Sequence, residues 1–306
     1  MAIKVITQQH LTWINIDRID EEALTYLRTN HNFHHLDIED IQSESQTPKV
    51  DAYKNYLFVV LQVPHWQGNT KTIVPLEVDC FIGENFLITI QNTKVKEMKN
   101  FFYKCMKNRQ TKREWMSSTS GFLFYHVLEA LFQNSRSTLN NIGKQISKME
   151  TNVFSGERNP NIVQELAVHR RNVLSFRRII DPQRYVIANL SHMRKPFMSE
   201  DLNVYFDNVV DYLNKIWVIL DTYRDTVDGL HVTVESLITQ RTNKVVGTLT
   251  AISVGLLPLT LLSGIYGMNI DNLPFAHHPF MVWGMFAMLA IVILLALFIM
   301  RRNKWL

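Results

Sequence analysis

Apolar and polar positions change period along this chain, and each change predicts a different element. "YLFVVLQV" (56–63), "LEVDCFIG" (76–83) and "FLITIQ" (86–91) are short runs rich in β-branched and aromatic residues, the composition of strands. "DEEALTYLRTN" (20–30) has helical spacing, and Asp20 is placed to cap it. Together they predict an α/β domain built around a sheet over residues 1–115. Within residues 116–198, stretches 119–152 and 158–195 read as two long helices parted by the breaker "FSGERNP". After "RKPFMSEDL", Ser199 with Glu200 and Asp201 predicts a further helix start, because acids suit the positive end of the helix dipole.

No proline then interrupts until Pro258. Apolar residues at 209, 213, 216, 220, 223, 227, 230, 234 and 237 alternate steps of three and four, a heptad-like seam. A single helix over 199–265 has a length of about 100 Å at roughly 1.5 Å per residue. A seam along such a stalk predicts neighbours beside it, hence an oligomer.

The stalk runs into 21 residues without a formal charge, 246–266, and residues 280–300 form a second such run. A hydrocarbon core of ~30 Å needs about 20 helical residues, so each run is long enough to span once. Arg241 and Lys244 precede the first run; Arg301, Arg302 and Lys304 come after the second; the loop 267–279 has no Lys or Arg. The positive-inside rule then places both termini and the large domain in the cytoplasm and the loop outside. The expected segments are an α/β domain (1–115), long helices (116–198), a stalk continuing into the first span (199–266), an external loop (267–279), a second span (280–300) and a basic cytosolic tail (301–306).

Composition supports a folded chain: 46% of residues are hydrophobic, 20% are charged and the net charge is +4. So modest and dispersed a charge does not favour nucleic acid as a partner. Arg170, Arg171, Arg177 and Arg178 in "HRRNVLSFRRII" read as a solvated face or as partners for nearby acids. Cys80 and Cys105 form neither a metal-type pair nor a disulfide framework, which fits a reducing cytosol. The N-terminal "MAIKVITQQHLTWINID" has no apolar run of signal-peptide length.

Continuing the seam into the first span selects Asn243, Val246, Thr250, Ser253, Leu257, Thr260, Gly264 and Gly267. A polar stripe of this kind either lines water or joins helices by hydrogen bonds. The pore reading gains from the end of the helix at Gly267, Met268 and Asn269, because non-helical backbone near membrane depth is tolerated where it is buried in protein or lines a watery cavity. Copies of that terminus around an axis give a ring of carbonyl and carboxamide oxygens. Such a ring suits Mg2+, a hard cation that sheds its waters reluctantly. Val246 and Leu257 are then apolar constrictions that gate by excluding water.

At these residues the sequence resembles the CorA family of divalent-cation channels, magnesium transporters above all. "YGMN" (266–269) matches the family signature, and it comes directly after "RTNKVVGTLTAISVGLLPLTLLSGI". "LDIEDIQSESQTPKVDAYKNYLFVVLQ" (36–62), "FIGENFLITIQ" and the terminal "KWL" also fit. The resemblance implies a homopentameric funnel in the cytoplasmic membrane, a fold of α/β cytosolic domain, long-helix stalk and two transmembrane helices. It implies a selectivity mouth at Gly267, Met268 and Asn269, and a pore lined by Asn243, Val246, Thr250, Ser253, Leu257, Thr260 and Gly264. It also implies a cytosolic site where Mg2+ feeds back on opening, with Asp40 as one ligand. Asn208 stands where the second ligand is expected, so Asp207 or Asp211 must substitute. No cofactor is implied beyond Mg2+ as cargo and regulatory ligand.

Three departures matter. Phe275 stands where many relatives carry Glu, leaving Asp271 as the loop's sole acid. His277 and His278 add imidazoles that suit Zn2+, Co2+ or Ni2+. Around Val246, "NKVVGT" makes the inner constriction smaller. A transporter of softer metals is therefore the alternative within the class. An anchored enzyme or sensor is the alternative outside it, but no phosphate-binding loop, zinc spacing or Ser/His/Asp constellation occurs.

Overall fold

The computed structural model describes residues 3–43, 46–91, 95–155, 159–269 and 279–302. The chain divides into two units, Met1–Leu230 and His231–Leu306.

The first unit holds strands β1 (Ile3–Gln8), β2 (Leu11–Ile16), β3 (Lys49–Ala52), β4 (Tyr56–Gln67), β5 (Thr72–Gly83) and β6 (Phe86–Ile90). They form one sheet in the order β1-β2-β6-β5-β4-β3. β2 and β6 run parallel, and every other pairing is antiparallel. β4 and β5 extend past residues 63 and 76 because Pro64 pairs with Pro75 in a two-stranded ribbon. β3 reaches β4 only as far as Val60, so the prolines need no outward ladder bond there.

Helices α1 (Glu21–Asn30) and α2 (His35–Asp40) cover one face of the sheet. Ala23, Leu24, Leu27, Ile38 and Ile41 close over Ile14, Ile16, Phe58, Val60, Phe81, Ile88 and Ile90. Asp20 caps α1 as its position predicts, accepting from the Ala23 N–H at 2.9 Å. The opposite face carries α3 (Lys96–Lys107), α4 (Arg109–Met116), α5 (Ser120–Phe154) and α6 (Ile162–Ser191). Trp13 meets Phe102 of α3 edge-on at 4.8 Å. Asn172 docks α6 on the ribbon: it accepts from the Ile73 N–H and donates to the Lys71 carbonyl. Cys80 and Cys105 are both free and buried.

Helix α7 (Asn203–Tyr266) begins after a short 3-10 turn at Glu200–Leu202 rather than at Ser199. Its first part packs along α5 and α6. Phe206 meets Phe124 at 6.2 Å, and Tyr212 donates to the Phe132 carbonyl. Arg177 pairs with Asp221 at 3.0 Å and lies over the Trp217 ring, while Arg170 pairs with Asp228. Arg170 and Arg177 of the basic run are thus paired with acids of α7. The seam residues Val209, Leu213, Ile216, Leu220, Val227 and Leu230 are buried within the single chain. This part of the seam is thus covered by α5 and α6 of the same chain.

The second unit holds the rest of α7 and α8 (Pro279–Arg302). A Cβ on Gly255 would lie 3.4 Å from Ile293, and the Tyr266 hydroxyl is 3.9 Å from the Met285 sulfur. Val246, Leu249, Leu257 and Leu261 of α7, and Phe280, Trp283, Leu294 and Phe298 of α8, are exposed. Apolar surface displayed this widely belongs in lipid or against other chains. Among the described residues, one helix is long and apolar enough to cross a membrane, α7; the apolar stretch Phe280–Ala296 of α8 is shorter.

Candidate functional site

Two places collect the residues that the sequence singles out. The first is the upper part of α7. At about 3.6 residues per turn, Asn243, Val246, Thr250, Ser253, Leu257, Thr260 and Gly264 fall within an arc of roughly 100°. All seven are exposed. Gly255 and Tyr266, which touch α8, lie on roughly the opposite side of the helix, as does buried Ala251. α8 therefore leaves the polar stripe uncovered.

The stripe hydroxyls are oriented by their own helix. Thr250 donates to the Val246 carbonyl at 2.8 Å, Ser253 to Leu249 at 3.0 Å and Thr260 to Leu256 at 2.9 Å. Each hydrogen is used within the helix, so each oxygen keeps lone pairs for an outside donor or cation. Thr248 makes the same bond to Lys244 off the stripe. What distinguishes the stripe is its alignment, not the bond.

α7 stops at Tyr266. Gly267 donates to the Ser263 carbonyl and Met268 to the Ile265 carbonyl. A Cβ on Gly267 would stand 3.1 Å from the Ser263 oxygen, which is why a glycine suits this helix end. Asn269 is exposed directly beyond it. Asp271, Phe275, His277 and His278 lie outside the described residues.

The second place surrounds Asp40 at the end of α2. Ligand atoms of Asp37, Asp40 and Asp51 lie within 4.8 Å of one another. Lys49 Nζ is 2.7 Å from Asp40 and 2.7 Å from Asp51. Asp37 is buried and accepts from the Tyr53 and Tyr56 hydroxyls at 2.8 and 2.7 Å. Burial pulls the Lys49 ammonium down, but hydrogen bonds and charges from Asp40 and Asp51 outweigh it and hold Lys49 above the usual lysine range. Burial first, then the bond to Asp37, pushes Tyr53 up to about 12. Asp79, nearly enclosed, is driven well above the carboxylate range by burial, with Glu77 and Asp40 adding repulsion.

Asp207 and Asp211 are exposed on α7, and neither belongs to the group around Asp40. The residues that do belong, Asp37, Lys49, Asp51, Tyr53 and Tyr56, escape a reading of the sequence by motif. Their signal is nevertheless present: Asp37 and Asp40 stand three apart on a helix, and Lys49, Asp51 and Tyr53 alternate along a strand and its end.

A family model described as CorA-like Mg2+ transporter protein matches residues 8–302. The cobalt/magnesium transport protein CorA of Thermotoga maritima is 28% identical over 299 residues, covering 96% of this chain and 83% of that protein. The zinc transport protein ZntB of Pectobacterium carotovorum is 21% identical over 302 residues, covering 99% and 90%. The complete structure of the CorA magnesium transporter from Methanocaldococcus jannaschii superposes with a TM-score of 0.81 at 20% identity, covering 98% of this chain and 94% of that one.

Proposed function

From the premise that the chain belongs to the CorA-like Mg2+ transporter family, and is thus a divalent-cation transporter and not an enzyme, we propose that it is a Mg2+ channel of the cytoplasmic membrane. It conducts as a homopentamer, with α7 lining the pore, α8 as the second span and both termini in the cytoplasm. The observation that carries this reading is the uncovered stripe of Asn243, Thr250, Ser253 and Thr260, on the side of α7 away from α8. A stripe that only glued α7 to α8 would face α8.

Gly267, Met268 and Asn269 form the outer mouth in this reading, and the Asn269 carboxamide presents its oxygen to a hydrated ion. Val246 and Leu257 are the constrictions, both exposed in the single chain and so free to face an axis. The driving force is the membrane potential, about 2.3 kcal/mol per charge per 100 mV, so a divalent ion gains twice that. Cytosolic Mg2+ closes the channel through a site that includes Asp40 on one subunit and Asp207 or Asp211 on a neighbour, all three being accessible at the surface.

A second reading, Zn2+ transport, has a specific support: a zinc transport protein matches over nearly the whole chain. Mg2+ influx into liposomes containing the purified protein, with Zn2+ and Co2+ as competitors, separates the two. Mg2+ entry that cytosolic-side Mg2+ suppresses supports the channel and its feedback together. Zn2+ entry without Mg2+ entry moves the assignment to the softer metal.

A further inference from the structure

We propose that the cleft between the β4–β5 ribbon and the adjoining ends of α5 and α6 binds an adenine nucleotide, with Trp66 stacking on the base and Lys71 and Lys148 holding the phosphates. The cleft lies within the first unit and shares no residue with the stripe of α7 or with the carboxylates around Asp40. It therefore stands whether or not the chain conducts Mg2+.

Helical spacing builds two of its walls. Gln145, Lys148 and Asn152 share one face of α5 at steps of three and four, and Asn161, Gln164 and Val168 do the same at the start of α6. The ribbon tip, with Trp66 and Lys71, is the third wall. Together they bound about 740 Å3, within the roughly 300–1,000 Å3 of small-molecule sites. The ribbon wall is anchored from behind. Asn172, 1% exposed, donates to the Lys71 carbonyl at 2.9 Å and accepts from the Ile73 N–H at 3.2 Å. That pair of bonds fixes the backbone from which Lys71 extends.

The lining is short of partners. Among the described residues, neither the Lys71 nor the Lys148 ammonium has an acid partner, unlike Lys4 and Lys49. Glu165 is the acid of the lining, and its carboxylate accepts from the Asn159 amide at 3.1 Å. Two bases against one acid leave the cleft positive. His169 adds a polar atom in need: its Nδ1 is buried and has no hydrogen-bond partner among the described residues. Burial holds His169 below the ordinary histidine value, so it contributes a neutral imidazole near pH 7. A buried polar atom left unpaired in the wall of a cleft marks where a ligand or water belongs.

Three features select a nucleotide over a simple anion. Two ammoniums suit a chain of phosphates, where each acts as a point charge. Asn161, at the N-cap of α6, makes no side-chain capping bond, so the positive end of that 30-residue helix adds to the same field. The third feature is not electrostatic. Trp66 is half-buried in the lining and meets no other ring among the described residues, which leaves a face on which a base can stack. Gln145, Asn152 and Gln164 bring carboxamides, the group that offers donor and acceptor together to an adenine edge. A bare phosphate needs neither the ring nor the amides.

The test is isothermal titration calorimetry on the full-length protein in detergent, with ATP and tripolyphosphate as separate titrants. EDTA is present, so that no divalent ion bridges the titrant to acids elsewhere. Wild type should bind ATP, and Lys71→Gln and Lys148→Gln should each weaken it about tenfold, the loss of one charge-assisted hydrogen bond. Lys144→Gln, one turn before Lys148 and outside the cleft, should bind as wild type does. Trp66→Leu should weaken ATP about tenfold and leave tripolyphosphate unmoved, because only the base stacks. No ATP binding by wild type, or equal losses in all three lysine variants, overturns the site. Tripolyphosphate bound as tightly as ATP by wild type overturns the nucleotide assignment, and that comparison holds even where Trp66→Leu does not fold.

Discussion

Thr250 donates its hydroxyl to the Val246 carbonyl one turn earlier, 2.8 Å away. Both residues lie on the uncovered stripe of α7, so the bond turns a threonine that could have gripped a neighbouring helix into an oxygen that can only accept. Thr260 repeats the arrangement with Leu256. A row of acceptors on an otherwise apolar helix favours an ion or its water over hydrocarbon.

Thr250→Val and Thr260→Val keep the side-chain shape and remove that acceptor. A lost acceptor worth about 1 kcal/mol at the barrier lowers flux about fivefold. Thr248→Val removes the same type of bond off the stripe, and flux should stay near wild type. Radiotracer or dye-based Mg2+ uptake into liposomes reads all three. Equal losses in the three variants would show that the stripe has no special role.

Gly121, in the first turn of α5, leaves no room for a methyl group. A Cβ there would stand 2.4 Å from the Phe197 carbonyl oxygen, which is backbone and cannot rotate away. Gly121→Ala should cost about 1–3 kcal/mol as overpacking. Gly229 in α7 is the contrast: a Cβ there meets nothing within 4 Å. Gly229→Ala should stabilise by about 0.5–1 kcal/mol through helix propensity. Thermal unfolding of the full chain in detergent should therefore move in opposite directions for the two variants.

His31 stacks on Phe33 at 5.0 Å, and burial lowers its pKa below the ordinary histidine value. Burial lowers His126 and His169 in the same sense, the first against an opposing pull from Glu129. A histidine with a depressed folded pKa binds fewer protons folded than unfolded. Its contribution to stability is thus intact above about pH 6.5 and is lost as the pH falls through that value, levelling off below the folded pKa. The unfolding midpoint should drop between about pH 7.5 and about pH 5.5, and His31→Phe, which keeps the ring, should flatten part of that slope. An unchanged slope would mean that His31 carries none of it.

Much of this architecture is legible in residue pattern, and the misses have physical causes. Strands β4 and β5 are visible as apolar runs, yet Pro64 and Pro75 hide their outer halves, because a proline ordinarily ends a strand that has neighbours on both sides. The β1–β2 hairpin turns at Gln9 with a φ of 52°, without the Gly or Asn that announces such a turn. Helix α3 buries Met98, Phe102 and Cys105 at helical spacing, a signal present in the sequence but absorbed into the sheet domain. The stalk seam is visible residue by residue, but periodicity alone does not reveal whether the covering helix belongs to the same chain. Here α5 and α6 cover it. Asp40 is legible, whereas its companions are not, since Lys49 and Asp51 reach it only through the pairing of β3 with β4.

The most direct test of the channel is the Asn269 carboxamide, exposed just past the end of α7. Mg2+ influx should be compared in liposomes holding wild type, Asn269→Ala and no protein, with equal incorporation checked by gel. Asn269→Ala should fall to the rate of empty liposomes while remaining folded. Influx at the wild-type rate in Asn269→Ala would contradict the assignment of the Gly267–Asn269 turn as the ion's entrance.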